Sequence, residues 1–469
     1  MKICQIVCLS GLIWLTGCAS TEFIKPIASD APSSSAAPGI VLATPSAAAT
    51  PVAAGAAGDL LPITAALATS TAVAPLAPPV DLWDRIRSGY AMQNLESTLV
   101  HDRELWYSSR NDYILRMTER SRKYLFHIVE ELERRNMPTE LALLPFIESA
   151  FNPQAVSSAK AAGMWQFMPA TGKTFELKQN AFRDDRRDVL ASTRAALDYL
   201  QKLYLMFGDW HLALAAYNWG EGSVGRAIAK NQRAGLGTSY TDLTMPMETR
   251  FYVPKLQAMK NIVSQPSAFN SSLPHIENHP YFQTVDIRHD IDVALAAKLA
   301  EVPLDDFKAL NPSASRPVIL AAGTRQILLP WDNAAIFQRN LEAYSGGRLA
   351  SWTVWLAPTT MKPADAAKRV GMTEQTLRSV NNIPPRVLIR AGSSLLVARA
   401  THLETDVAVH LADNGQLSLS SLAPPKRVVR KGGKPAQPNR SAARPAVKTT
   451  PGQKAPVRKP APAVRNKNP

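Results

Sequence analysis

The chain has 469 residues and a formal net charge of +15, a length compatible with two to four domains. Thirteen Lys and Arg, and no Asp or Glu, lie in residues 424–469; residues 1–423 are close to neutral, so the basicity belongs to a tail and not to a folded nucleic-acid groove. Cysteine occurs only at positions 4, 8 and 18, which excludes a disulfide framework or a thiolate metal site in the body of the chain.

The N-terminus reads as a targeting segment, residues 1–17. Lys2 precedes an apolar run from Ile3 to Leu15, shorter than the ~20 residues that a spanning helix needs. The run ends in Leu15-Thr16-Gly17-Cys18, which resembles a bacterial lipobox. That resemblance implies cleavage before Cys18 and lipidation of Cys18. With Ala19 in place of an aspartate, it also implies the inner leaflet of the outer membrane, facing the periplasm. An ordinary secretory signal that ends by chance in a cysteine is the alternative. Residues 18–80 are rich in Ala, Pro and Ser and lack the periodicity of a core, so they read as a disordered linker.

Residues 81–270 read as one mainly helical domain. Tyr113, Met117, Tyr124, Leu125, Ile128, Val129 and Leu132 have helical spacing over 111–135. Pro138 opens a helix that runs from Leu141 to Ala150. Asp188 precedes a helix with Leu197, Leu200, Leu203 and Tyr204 on one stripe. Asp209 caps a short apolar helix ending at Tyr217-Asn218, with Gly220 and Gly222 as stops and Asn218 as a C-terminal cap. A last helix over 248–263 is expected to bend or break near Pro254.

Beyond residue 280 the chain repeats itself. Ala296-Ala297-Lys298, Leu310-Asn311 and Ala322-Gly323 recur as Ala366-Ala367-Lys368, Val380-Asn381 and Ala391-Gly392. Each copy, 281–333 and 350–398, reads strand, helix, helix, strand. The pair resembles divergent LysM modules, which implies binding of wall glycan; a spacing or docking role is the alternative. Residues 399–469 read as a basic, Pro/Ala-rich disordered tail. It suits anionic wall polymers or lipids without specific nucleic-acid binding, or serves only as a solvated linker.

The chemistry concentrates at Glu148, the only ionisable side chain in residues 141–159. It shares a helix face with Leu144 and Leu141, on a helix apolar nearly all round. Burial raises the pKa of such a carboxyl, which suits a general acid; a structural glutamate is the alternative. Ser149 and Asn152 suit the turn after this helix, and Gly163 suits backbone geometry. Trp165, Trp210 and Trp219 fit either sugar platforms or core. His127 and His211 need no role. Metal-hydrolase, serine-hydrolase and phosphate-loop patterns are absent, and neither cofactor nor metal is expected.

Four motifs in order carry a family resemblance: Glu148-Ser149-Ala150-Phe151-Asn152-Pro153, Gly163-Met164-Trp165-Gln166-Phe167-Met168-Pro169, Ala216-Tyr217-Asn218, and Glu248-Thr249-Arg250-Phe251-Tyr252-Val253. Together they resemble the soluble-lytic-transglycosylase domain. The lipobox, the Met-Trp-Gln form of the second motif and the repeats bring the chain nearer the membrane-bound members. The resemblance implies a mainly α, lysozyme-like catalytic domain followed by two small α+β modules. It implies cleavage of peptidoglycan glycan strands between N-acetylmuramic acid and N-acetylglucosamine. Glu148 would be the single acid/base, giving 1,6-anhydro ends. Ser157, Gln166, Met168 and Tyr217 would line the sugar cleft. Glu248 would lie deeper and orient neighbours, with Arg250 available as its partner. Two alternatives stay open: a hydrolytic muramidase, with Asp184, Asp185 or Asp188 holding water, and a non-catalytic wall-binding lipoprotein.

Overall fold

The computed structural model describes residues 79–400 and 405–421. The expected targeting segment, Cys18, nearly all of the 18–80 stretch and the residues beyond 421 lie outside the described residues. Among the described residues no helix is long and apolar enough to cross a membrane.

The first part is helical: α1 (Leu82–Ser88), α2 (Thr98–Ser108), α3 (Asn111–Ser121), α4 (Leu125–Arg134), α5 (Leu144–Ser149), α6 (Pro169–Thr174), α7 (Val189–Phe207), α8 (Trp210–Trp219), α9 (Glu221–Arg233), α10 (Met247–Arg250) and α11 (Tyr252–Ser264). Side-chain caps start several of them. Asp188 accepts from the N–H groups of Leu190 and Ala191, and Asp209 accepts from that of Leu212. The core is a single cluster in which Trp83, Leu125, Phe146, Trp165, Leu200 and Leu214 are fully buried. α11 packs against α2, α5 and α8, and α7 packs against α8.

Three details differ from the expectation. The 111–135 run is two helices. Thr118 and Ser121 turn their hydroxyls back onto main-chain carbonyls of α3, which competes with the helical ladder just before the break. The last helix breaks at Phe251, not at Pro254. The proline sits in the first turn of α11, where a missing N–H is tolerated. Gly220 alone ends α8, at φ +90°, and Gly222 lies inside α9.

Two small α+β units follow, and both have the same build. In the first, β1 (Phe282–Asp286) pairs antiparallel with β4 (Gln326–Pro330), and β2 (Ile291–Asp292) pairs with β3 (Val318–Ile319). These strands enclose α12 (Val293–Leu299) and α13 (Leu304–Leu310). α14 (Asn333–Glu342), not anticipated from sequence, covers this unit with Ala334 and Phe337. In the second, β5 (Trp352–Leu356) pairs with β7 (Ser394–Ala398) around α15 (Pro363–Arg369), α16 (Glu374–Asn381) and β6 (Val387–Ile389).

The repeated asparagines explain the duplication physically. Asn311 donates to the carbonyls of Phe307 and Leu328 and accepts from the N–H of Leu328, at 2.8–3.0 Å. Asn381 does the same with Leu377 and Leu396, at 2.7–3.0 Å. In each unit one buried amide pins the second helix to the last strand, satisfying backbone groups that no ladder reaches.

The start of the expected tail needs correction. Residues 405–421 form α17 (Val409–Asn414) and β8 (Leu419–Ser421), and β8 pairs antiparallel with β6. This segment straps the second unit to the helical part. Asn180 donates to the carbonyls of Ala412 and Asp413, Ala181 N–H donates to Gly415, and Lys178 pairs with Asp413 at 2.8 Å. The composition of 405–421 is far less basic than that of 424–469, and its apolar Val407, Leu411 and Ala412 find a place in a small cluster with Phe182 and Leu396.

Candidate active site

α5 is six residues long and enters from a 3-10 turn, Thr139–Leu143. Glu148 stands one residue before its end. There the chain places Ala150 (φ +52°) and Phe151 (φ +55°) consecutively in the left-handed region. Neither is glycine, so this turn stores backbone strain of ~1 kcal/mol or more per residue, repaid by burying Phe151 completely. Ser149 donates to the Met164 carbonyl at 3.0 Å and accepts from Asn152 N–H, tying the helix end to the loop that follows.

The loop over 155–168 holds three expected cleft residues. Ser157 accepts from Ala161 N–H at 3.0 Å, so its hydroxyl closes the loop tip while its own proton stays available. Gln166 takes φ +50° and donates to the Gly163 carbonyl at 2.8 Å. Met168 is 45 % exposed, an apolar surface facing outward. Gly163 has φ +84°, and a Cβ there would lie 1.9 Å from the Arg186 carbonyl, so glycine is required. Arg186 braces the loop. It is clamped by both carboxylate oxygens of Asp184 and donates to the carbonyls of Lys160 (2.7 Å) and Phe167 (3.1 Å).

Tyr217, on α8, donates to the Trp165 carbonyl at 2.9 Å. Trp165 is fully buried and bonds Thr193 through its indole N–H, so it is core and not a sugar platform. Trp210 stacks on Tyr204. Asn218 accepts from the Thr249 hydroxyl at 2.8 Å instead of capping α8, which holds α10 against that helix. Glu248 is exposed on α10 and, among the described residues, forms no ion pair with Arg250.

Tyr252 was not anticipated. It is buried at the start of α11, and its hydroxyl donates a hydrogen bond to Oε1 of Glu148. Its number lies inside the fourth motif, but the contact spans 104 residues, so no local pattern announces it. Burial pushes the Glu148 carboxyl up to about 7; the Tyr252 bond and the charge of Lys255 act downward, and Glu248 acts upward. The half-buried Glu148 is therefore poised to hold or release a proton near neutrality. Because Oε1 accepts from Tyr252, its proton belongs on Oε2.

The three aspartates considered for holding water are committed elsewhere. Asp184 clamps Arg186. Asp188 caps α7 and accepts from Ser313. Asp185 faces Arg183 and accepts from Lys178 N–H; burial, with Asp188 and Asp184 nearby, pushes it up to about 6. They brace the junction with the first α+β unit. Among the described residues no cluster of His, Cys, Asp or Glu suits a metal ion.

Comparison with known proteins agrees with this architecture. Residues 127–236 match the Transglycosylase SLT domain, and residues 281–346 match the family described as Lytic transglycosylase MltD, LysM-like domain. A putative tributyltin chloride resistance protein from Alteromonas sp. (strain M-1) is 50% identical over 111 residues, 24% of this chain and 54% of that protein. The solved lytic transglycosylase Slt of Pseudomonas aeruginosa aligns at 23% identity with a TM-score of 0.24, covering 30% of this chain and 24% of that one. Membrane-bound lytic murein transglycosylase D of Escherichia coli (strain K12) is 32% identical over 366 residues, 74% of this chain and 80% of that protein. With its helical domain, its α+β units and this extended identity, the chain belongs to the family of membrane-bound lytic murein transglycosylase D.

Proposed function

We propose that the chain is a peptidoglycan lytic transglycosylase acting in cell-wall remodelling or turnover, with Glu148 as its single acid/base. The observation that carries this reading is Glu148 itself: a carboxyl with a pKa near neutrality, held by Tyr252 at the end of a helix that closes in a strained turn. Protonated Glu148 gives its proton to the oxygen linking muramic C1 to glucosamine O4, and that C1–O4 bond breaks. The substrate's N-acetyl group stabilises C1. The carboxylate then takes the proton of the muramoyl 6-hydroxyl as its oxygen bonds to C1, leaving a 1,6-anhydro end with no water consumed. Ordinary glycosidases add a second carboxylate; the aspartates available for that role are engaged in ion pairs and caps. Ser157, Gln166, Met168 and Tyr217 line the sugar cleft, and Glu248 tunes Glu148 through its charge.

The domain plan that goes with this reading is a catalytic domain over 81–270 and LysM-like modules over 281–333 and 350–398. Lipidation at Cys18 would hold the enzyme on the periplasmic face of the outer membrane, and the basic tail would meet anionic wall polymers or lipids. Mass spectrometry of digested sacculi tests the reaction. Anhydro-muropeptides are expected; reducing muramic ends would sink the transglycosylase reading in favour of hydrolysis. Cys18→Ala should abolish fatty-acid labelling and membrane retention.

A further inference from the structure

A crevice of about 820 Å³ opens between the helical part and the first α+β unit, beginning at the turn that ends the Glu148 helix. Five cations line it (Arg120, Lys123, Arg187, Lys308 and Arg316) against one carboxylate, Asp305. Three of the cations are uncompensated. Arg120 donates only to the Ala150 carbonyl, and Arg316 only to the carbonyls of Ala181 and Val380. Arg187 donates to the Gln154 amide oxygen, and its buried Nε has no partner. Among the described residues none of these three guanidinium groups has a carboxylate within ion-pair distance. Lys308 is exposed, with Asp305 4.0 Å away and fully open to water.

The aromatic residues of the crevice, Tyr124 and Phe151, are buried beneath its floor at 2 % and 0 % exposure. No ring face is offered to a sugar. What is offered is positive charge along an open crevice the size of a short peptide. We propose that this crevice binds the carboxylate-bearing stem peptides of the wall polymer. It would hold a strand by its stems while the glycan lies across Glu148. This deepens the reading of peptidoglycan as substrate and rests on it.

The test uses the full chain on two substrates, glycan strands with intact stems and the same strands stripped of stems by an amidase. Lys308→Glu is expected to raise KM about tenfold on stem-bearing strands and leave it unchanged on stripped ones, with Lys308→Arg close to the parent. Arg187→Gln should act in the same direction. A binding measurement separates this inference from the catalytic one. The Glu148→Gln protein should bind an isolated stem tetrapeptide, more weakly at higher salt, and should not bind the same peptide with its carboxylates amidated. Equal KM changes on both substrates would overturn the proposal, as would no change on either or equal binding of the amidated peptide. Glycan cleavage retained by Glu148→Gln, with stem binding intact, would count against the acid/base reading alone.

Discussion

Replacing Glu148 by Gln keeps the shape of the side chain and the acceptor for the Tyr252 hydroxyl but removes the proton that titrates. The folded carboxyl is held at about 7, against an ordinary 4.5. That difference corresponds to about 3 kcal/mol of penalty on the ionised form, and the residue's partial exposure to water reduces it to ~1–2 kcal/mol. The sign follows from proton linkage. Between pH 4.5 and 7 the folded chain holds a proton that the unfolded chain has lost, so stability falls as pH rises through this window, and above 7 the penalty is complete. Glu148→Gln escapes it. Relative to pH 4.5, the variant should gain ~1–2 kcal/mol over the parent at pH 8, roughly 2–4 °C in melting temperature. It should lose at least ~10³-fold in release of soluble muropeptides. Denaturation followed by circular dichroism at pH 4.5, 6 and 8, beside product release from sacculi, reads both quantities. A stability gain equal at all three pH values would refute the buried-carboxyl reasoning, and retained cleavage would refute the assignment of Glu148.

Activity of the parent should decline as pH rises through about 7, because the acid is then lost. Tyr252→Phe removes a bond that favours the ionised form, so the decline should move to higher pH while kcat falls about tenfold; Glu248→Gln should move it lower, and both shifts are read from pH–rate profiles. Gly163→Ala forces a Cβ into the Arg186 carbonyl at a positive φ, and should cost ~3 kcal/mol or more in a denaturant titration. Deleting 422–469 should leave thermal stability unchanged. Deleting 405–469 removes β8 and the Asn180 and Lys178 contacts, and should lower the melting temperature of the second α+β unit by several degrees.

Much of the site is legible in the residues. An isolated Glu148 in an apolar helix, Asp188 and Asp209 before their helices, and the repeated Leu310-Asn311 and Val380-Asn381 all rest on local physics that a linear pattern carries. Trp165 was open between platform and core because its composition suits both; only its burial against Thr193 decides. Asn218 was expected as a cap because helix ends favour asparagine, yet its partner is Thr249, 31 residues away.

The sequence by itself determined the family, the helical domain and the doubled units, and it singled out Glu148 as the candidate acid. These follow from periodicity, caps and ordered motifs, all short-range. Only the tertiary structure decided that Tyr252 holds Glu148, that Arg186 braces the Gly163 loop, and that Asp184, Asp185 and Asp188 take protein partners at the junction with the first α+β unit. It alone gathered the Arg120, Arg187 and Lys308 side chains around one crevice. Each of these is a contact between segments distant in the chain, and the free energy that selects it comes from burial and charge pairing across the fold, which no local pattern encodes.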